Sequence, residues 1–367
     1  MKQPLYILSS CSISAQHTYN ADHFLDPVVS RDDGHMYVID PDYTRYISPV
    51  AIRRMSRFLK RGITAGMKCL EDAGVATPDG IILSTARGSV TDLENFLKDM
   101  IRLNEEALTP TAFIQSTYNS INGWIAMLTK CTGYNQTYVH RGFSLELTLF
   151  DAQMMFAEST GKKYILAGGF DELTPDYFMI RNKIGYYKEN IPNNLSLLAH
   201  YDTPGSIAGE GAHFFTVTND PENAACAIPG LEMLQQPSAE RVQNAIADML
   251  QQNGLTNDDI DILVSGMNGD SRNRFLTDPL IAKCSPNTTI AIFKHLSGEY
   301  DTVSGFGLWL ADYIIRKQHI PAEVIYKQGG SKTIRNILIC NVTIGCNISL
   351  MLVRKNDKLH YLGNNIR

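Results

Sequence analysis

TYVHRGFSLELTLFDAQMMFAESTGKKYILAGGF, residues 137–170, predicts a strand, a tight turn, a helix and a second strand. The β-branched and aromatic residues at 137–140 favour the first strand, and the turn falls at residues 141–143. The helix opens at Ser144, and the apolar run at 164–167 predicts a buried strand closed by two glycines. A strand that turns sharply into a helix is typical of α/β folds.

The turn places Phe143 beside the predicted helix N-terminus. Unpaired backbone N–H groups and the positive end of the helix dipole favour a thiolate or an oxyanion at such a position. Phe143 has no nucleophilic atom, and no cysteine occurs between Cys131 and Cys226. The local architecture therefore suits covalent chemistry, whereas the residue needed for it is absent.

The composition restricts the class of protein. The chain has 367 residues, is 44% hydrophobic and has a net charge of −5, so it can bury a large core and has no bulk basic field for nucleic acid or anionic membranes. Seven cysteines without C-x-x-C pairs indicate reduced core residues, not a disulfide frame or a zinc site. The first apolar run is too short for a signal peptide, and no window approaches the length of a membrane span. We expect a cytoplasmic protein without membrane association.

The rest of the chain alternates predicted strands with predicted helices. Strands are predicted at 5–13, 80–84, 212–218, 261–264 and 289–293, helices at 48–74, 90–104, 120–130, 238–254 and 302–316, and a hairpin covering a sheet edge at 337–353. This alternation indicates a mostly parallel sheet with helices on both faces. We predict two similar βα halves, residues 1–210 and 211–367, with a pocket between them. Basic residues at 53–61 predict a solvated helix face in preference to a phosphate site.

Several short segments, taken in order, resemble the β-ketoacyl synthase family of the thiolase fold. They are IRRMSRF at 52–58, Gly168-Gly169, GEGA at 209–212, Leu255 with DDID at 258–261, Lys294 with Gly298, and NISL at 347–350. The resemblance covers nearly the whole chain and implies a thiolase-like α/β fold with a layered α-β-α-β-α core. It also implies a dimer, no cofactor and no metal. The family condenses an acyl thioester with a malonyl unit carried on acyl carrier protein.

The resemblance implies that all three catalytic positions are changed. The family uses a cysteine nucleophile and two histidines that hydrogen-bond the thioester carbonyl. Phe143 falls on the cysteine position, Asn268 on the first histidine, and Glu299, after Lys294 and Gly298, on the second. An asparagine still donates one hydrogen bond, but an ionised glutamate only accepts and repels an oxyanion. Glu299 either pairs with Lys294 or is solvated.

This pattern resembles the non-catalytic chain-length factors that pair with active ketosynthases. We therefore predict a degenerate subunit in fatty-acid or polyketide (polyene-type) synthesis, with an active ketosynthase, a second copy of itself and acyl carrier protein as candidate partners. Residues 137–140 then lie at the dimer interface, and residues 154–156 line either a tunnel or the core. Chain-length factors often have glutamine where this chain has Phe143.

Two alternatives remain at this point. One is an active acyltransferase in which Ser144 is the nucleophile and His140 or His295 the base, although serine is also a preferred helix N-cap. The other is a homodimer that binds an acyl or aromatic ligand in the vestigial pocket.

Overall fold

The computed structural model describes residues 4–191, 193–330, 333–343 and 347–357. The strands are β1 (Leu5–Ile13), β2 (His35–Met36), β3 (Gly80–Thr85), β4 (Tyr134–Val139), β5 (Tyr164–Asp171), β6 (Ala208–Gly209), β7 (Gly211–Thr218), β8 (Cys226–Leu234), β9 (Ile262–Ser265), β10 (Thr289–Ile292), β11 (Ile325–Lys327), β12 (Asn336–Val342) and β13 (Ile348–Lys355). The helices are α1 (Pro49–Ile52), α2 (Arg57–Asp72), α3 (Val90–Arg102), α4 (Pro110–Ser116), α5 (Ser120–Thr129), α6 (Ser144–Glu158), α7 (Pro175–Lys183), α8 (Ala239–Gln252), α9 (Arg274–Ala282), α10 (Lys294–Ser297) and α11 (Ser304–Lys317). Within these ranges no helix is both long and apolar enough to cross a bilayer.

The main sheet contains the same strand arrangement twice. Its order through the described residues is β11-β10-β9-β12-β13-β8-β1-β7-β5-β3-β4. In chain order, the first half contributes β1, β3, β4, β5 and β7, and the second contributes β8, β9, β10, β12 and β13. Across the sheet, both halves place these five strands in the order third, second, fourth, fifth, first: β4-β3-β5-β7-β1 and β10-β9-β12-β13-β8. The two first strands join the halves, because β1 and β8 pair antiparallel at Leu5–Ile7 and Cys226–Ile228. The prediction of two similar α/β halves is confirmed.

The strand order also bears on the boundary between the halves. The predicted boundary at 210/211 assigns β7 to the second half, whereas β7 pairs with β1 and β5 and is the fifth strand of the first arrangement. The second arrangement begins at β8. We therefore propose a boundary between Thr218 and Cys226.

The helices complete five layers. The outer helices α2 and α5 cover the first half, and α8 and α9 cover the second. Between the two halves of the main sheet, α6 packs on β3, β4, β5 and β8, while α11 packs on β1, β7, β12 and β13. The largest apolar cluster fills this middle layer, where Leu149, Phe306 and Leu310 are fully buried. The thiolase-like α-β-α-β-α architecture is confirmed.

Most strongly patterned elements lie where the sequence predicts them, and the errors have local causes. Strand β1 has the predicted bounds, and Ser238 caps α8 by accepting from the N–H of Arg241. The single helix predicted at 48–74 is two helices, since the side chain of Ser56 caps a second start. Strand β5 continues through Gly168 and Gly169, where a Cβ would lie 2.8 Å from Phe214 and 3.1 Å from Thr302, respectively. Strand β8 and helices α4, α7 and α9 were not predicted.

Two further predictions are wrong. The C-terminal hairpin, β12 with β13, does not cover an edge of the sheet but lies between β9 and β8. Arg61 does not belong to a solvated face: it is buried and pairs with Asp40 at 2.6 Å and with Glu210 at 3.0 Å. These partners are remote in sequence, so the charge run did not reveal them.

Candidate active site

The N-terminus of α6 carries the first predicted site residue. Phe143 is at the N-cap with φ −131° and ψ 18°, makes no side-chain cap hydrogen bond and is 8% exposed. Its ring stacks on His140 with 5.4 Å between ring centroids. Gly142 precedes it with φ +96°, and a Cβ there would lie 3.1 Å from the hydroxyl of Thr343. The turn is therefore tight, and an aromatic ring occupies the position beside the helix terminus.

Ser144 is the first helical residue, so its expected role as N-cap is wrong; Phe143 takes that position. The hydroxyl of Ser144 is buried and accepts from the N–H of His140 at 3.1 Å. It also lies within hydrogen-bond distance of the carbonyl oxygens of His140 and Thr85, the latter at 3.2 Å. His295, one of the two candidate bases for Ser144, has its Nε2 atom 3.0 Å from the carbonyl oxygen of Glu323. The hydroxyl of Ser144 therefore has a structural role, because its main-chain contacts connect the turn to the end of β3.

The other predicted site residues form one buried network. Asn268 follows β9 in the predicted loop, and its Nδ2 donates to Oε2 of Glu299 at 2.8 Å. Lys294 Nζ donates to Oε2 and Oε1 of Glu299 at 2.8 and 3.1 Å and to the carbonyl of Val342 at 2.6 Å. Lys294, Asn268 and Glu299 are at most 3% exposed. Of the two uses considered for Glu299, the structure contains the ion pair with Lys294.

Burial opposes charge on both members of the pair. It lowers the pKa of Lys294 and raises the pKa of Glu299, and in each residue the partner's charge counteracts that effect. The acceptors around Lys294 and the donors around Glu299 satisfy most of the hydrogen-bonding capacity of both groups. The pair is therefore a closed unit within the protein interior.

Glu146, a buried acid of α6 near Lys294, was not predicted from the sequence. It lies in the first turn of α6, is fully buried, and accepts from the hydroxyl of Ser349 at 2.6 Å. Burial raises the pKa of Glu146, and the charge of nearby Lys294 lowers it. The available signal was a carboxylate in an otherwise apolar helical stretch. The first turn of α6, which follows Phe143, therefore carries a buried acid near Lys294.

The backbone beside Glu299 is packed so closely that it leaves no room for a side chain at residue 298. Gly298 has φ +73° and ψ −176°, and a Cβ there would lie 2.3 Å from the carbonyl oxygen of Ala208. The N–H of Glu299 donates to the carbonyl of Ile207 at 2.8 Å. The chain segment at Ile207 and Ala208 therefore fixes the position of the glutamate.

A second acidic cluster, also missed from the sequence, lies where β5 ends. Asp171 accepts from the hydroxyl of Thr85 at 2.9 Å and from the N–H of Thr302 at 3.0 Å. Glu172 accepts from the N–H and the hydroxyl of Thr91 at 2.8 and 2.9 Å. Burial raises the pKa of Asp171 to about 6 and that of Glu172 to about 7. The two acids connect the ends of β3 and β5 to the loops that begin α3 and α11.

Comparison with known proteins identifies the family. The model of the β-ketoacyl synthase N-terminal domain matches residues 32–228. The chain belongs to the β-ketoacyl synthase family. The resemblance predicted from the sequence is thereby confirmed. No curated protein matches the chain.

Solved structures of this family share the fold at low identity. The ishigamide ketosynthase/chain length factor superposes with a TM-score of 0.77 at 14% identity, covering 97% of this chain and 100% of that chain. A β-ketoacyl synthase from Burkholderia phymatum STM815 gives 0.77 at 13% identity, covering 96% and 99%. AntDE:AntF, a type II PKS acyl-carrier protein in complex with its ketosynthase bound to the hexaketide, gives 0.73 at 13%, covering 96% and 99%. These similarities extend over essentially the whole chain and show the thiolase-like fold.

The raised pKa of Glu172 predicts that the stability of the protein depends on pH. Its carboxyl has a raised pKa of about 7 in the folded protein, so the folded state binds the proton more tightly than the unfolded state. The resulting stabilisation is complete below the unfolded pKa of about 4.3 and is lost as pH rises through about 7. Glu172→Gln should remove this component, which is on the order of 3–4 kcal/mol.

Urea unfolding of wild type and Glu172→Gln at pH 5 and pH 8 checks this prediction. The difference between the two proteins isolates Glu172 from the opposite contribution of His213, whose pKa burial lowers to about 3. Equal pH slopes in the two proteins would contradict the assignment.

Proposed function

We propose that this chain is a non-catalytic ketosynthase-like subunit that pairs with an active ketosynthase in polyketide or fatty-acid-type synthesis. The observation that carries the proposal is the buried Asn268–Glu299–Lys294 network, combined with Phe143 at the N-terminus of α6. The family resemblance assigns Phe143 to the position of the cysteine, and Asn268 and Glu299 to the positions of the two histidines.

The contacts of the network oppose thioester chemistry. The Nδ2 donor of Asn268 is directed to Glu299, so this hydrogen bond is not made to a substrate carbonyl. Glu299 contributes acceptor atoms where the reaction requires a donor, and loss of one oxyanion donor alone costs about 2.7–4 kcal/mol of transition-state stabilisation. Phe143 removes the covalent route. Ser144, the alternative nucleophile, has its hydroxyl against main-chain atoms at 3.1 and 3.2 Å.

An apolar surface beside β4 supports pairing with a second thiolase-fold chain. Strand β4 is the last strand at one end of the main sheet, so one of its edges is open to another strand. Helices α5 and α6 pack on β4, α4 packs on α5, and α3 packs on α4. Exposed apolar side chains lie on these elements and on the segment between α4 and α5: Leu93, Leu97, Ile101, Phe113, Ile114, Tyr118, Met127, Leu128, Val139 and Met154. An exposed apolar surface of this kind marks an interaction site. Of the three residues 154–156, Phe156 belongs to the core and Met154 to this surface.

The structural neighbours support both proposed partners. One is a ketosynthase/chain length factor, and another contains an acyl-carrier protein in complex with its ketosynthase. By analogy, the partner of this chain is an active ketosynthase, and acyl carrier protein binds the pair.

The proposal is tested by tagging the protein at its natural expression level and identifying what co-purifies. We expect an equimolar ketosynthase that has the cysteine and both histidines. The isolated chain should take up no label from acyl or malonyl carrier protein. Stoichiometric acylation would contradict the non-catalytic assignment, and a label on Ser144 would favour the acyltransferase. Purification of the protein only as a homodimer would contradict the heterodimer.

The β4 surface gives a matched pair of variants for the same experiment. Phe113→Asp places a charge on the proposed interface, and Phe275→Asp places the same charge on α9; the two phenylalanines are 54% and 52% exposed. Phe113→Asp should reduce the recovered partner at least tenfold, because an unpaired charge in an interface costs several kcal/mol. Phe275→Asp should leave recovery unchanged. Equal effects would show that the partner binds elsewhere.

A further inference from the structure

A cavity of about 390 Å³ lies on the outer side of the second half of the protein. It is enclosed by α8, α9, the segment that follows α8, and the face of the sheet formed by β9 and β12. Its walls are aliphatic: Ile246, Leu250, Leu255, Leu263, Leu280 and Leu338. The sheet separates this cavity from α6 and α11, and hence from Phe143 and the Lys294 network.

Polar groups are collected at the mouth of the cavity. Lys283, at the end of α9, is exposed, lines the cavity and donates from Nζ to Oε1 of Gln243, so it bridges α9 and α8 at the cavity's solvent side. Asn257 also lines the cavity and donates from Nδ2 to the carbonyl of Lys283 at 2.6 Å, which fixes the lysine backbone. In the ranges that the structure describes, no carboxylate forms an ion pair with Lys283.

We propose that this cavity binds a medium-chain aliphatic carboxylate, with the chain between the helices and the sheet and the carboxylate on Lys283. Small-molecule sites are typically apolar cavities with a few convergent polar groups, and volumes of about 300–1,000 Å³ are usual. The volume equals that of about a dozen water molecules at about 30 Å³ each, which an alkyl chain of about eight to ten carbons fills. An aliphatic chain suits the cavity because its lining contains no aromatic ring, and Lys283 is its one charged side chain.

The charge at the mouth selects the head group. An ammonium that is held at the opening by a neutral amide retains two N–H donors for an anion. A carboxylate therefore gains a charge-assisted hydrogen bond that an alcohol of the same length does not. This site does not depend on the proposed function, because it lies on the other side of the sheet from the candidate active site.

Cys284 provides a direct reporter of occupancy. It lines the cavity, is half-buried, and burial raises the pKa of its thiol. Decanoate below its micellar concentration should slow alkylation of Cys284 at least tenfold, measured on the Cys284 peptide by mass spectrometry. The reactivity of Cys131, which is outside the cavity and similarly half-buried, should not change.

Calorimetric titration then tests the chemical class. Affinity should rise about fourfold per added methylene from hexanoate to decanoate, as burial of a CH₂ predicts. Lys283→Met should weaken decanoate binding about two- to fivefold and leave binding of 1-decanol unchanged. Equal weakening of both ligands, or none, would overturn the role of Lys283.

Two alanine variants test the location. Ala247 lines the mouth on α8, and Ala282 is exposed on α9 outside the lining. Ala247→Trp should fill the cavity and reduce decanoate affinity at least tenfold, whereas Ala282→Trp should have no effect. Both sites are exposed, so both variants should fold, which circular dichroism checks. Unchanged binding by Ala247→Trp, or no protection of Cys284 in wild type, would overturn the proposal.

Discussion

Replacement of Lys294 with methionine is expected to destabilise the protein by about 3–5 kcal/mol, because it leaves the carboxylate of Glu299 buried without its counter-charge. Both side chains are at most 3% exposed, so water cannot replace the lost ammonium. The carboxyl of Glu299 should then become protonated, with a pKa still higher than the raised value of the wild type. The loss should therefore be largest at pH 8 and smaller at pH 5, where the proton neutralises the acid. Urea unfolding at both pH values measures it.

The double variant Lys294→Met/Glu299→Gln separates the charge from the packing. Removing both charges together should restore stability to within about 1–2 kcal/mol of wild type, because a neutral replacement of a buried ion pair is often tolerated. The single variant Glu299→Gln completes the cycle. If the double variant loses as much stability as Lys294→Met and Glu299→Gln together, the two residues do not interact. That result would contradict the description of Lys294 and Glu299 as a closed, mutually stabilising pair.

Gly298→Ala is the second large effect, with an expected loss of about 3–5 kcal/mol. Its φ of +73° and ψ of −176° are accessible essentially only to glycine. In addition, the new Cβ would lie 2.3 Å from the carbonyl oxygen of Ala208, which is main chain and cannot rotate away. Relief of this clash must move Glu299, so the variant should also weaken the ion pair with Lys294. Thermal unfolding measures the loss.

Gly254→Ala is the matched control. Gly254 has φ +66°, but a Cβ there would meet no atom within 4 Å. Its replacement should cost only the backbone strain, about 1–2 kcal/mol. If the two variants lose equal stability, the close approach of Gly298 to Ala208 has no energetic consequence.

The sequence predicted elements whose signal is local. Strand β3 contains an apolar run at 81–83, and the start of α8 is marked by Ser238, so both could be located without knowledge of the fold. Lys294 and Glu299 are five residues apart, which made their pairing a considered alternative. The family resemblance then supplied the architecture that single segments did not.

The remaining features depend on contacts between distant segments. Arg61 is buried because Asp40 and Glu210 surround its guanidinium, and Glu210 is far away in the sequence. Asn268 donates to a carboxylate 31 residues further along the chain, and Glu146 accepts from a serine 203 residues away. Such pairs have no periodicity or spacing that a sequence pattern reveals. Only the packed structure brings these groups together.

The central position of the β12–β13 hairpin affects how the protein is made. The first half can form all five of its strands once β7 has emerged from the ribosome, whereas the second cannot join β9 to β8 before residues 336–355 are synthesised. Until then β8 and β9 have unpaired edges that can bind other nascent chains. We expect the second half to fold after the first, because its central strands β12 and β13 are synthesised after every strand of the first half. A chaperone that binds open strand edges is therefore most needed until β13 has been synthesised.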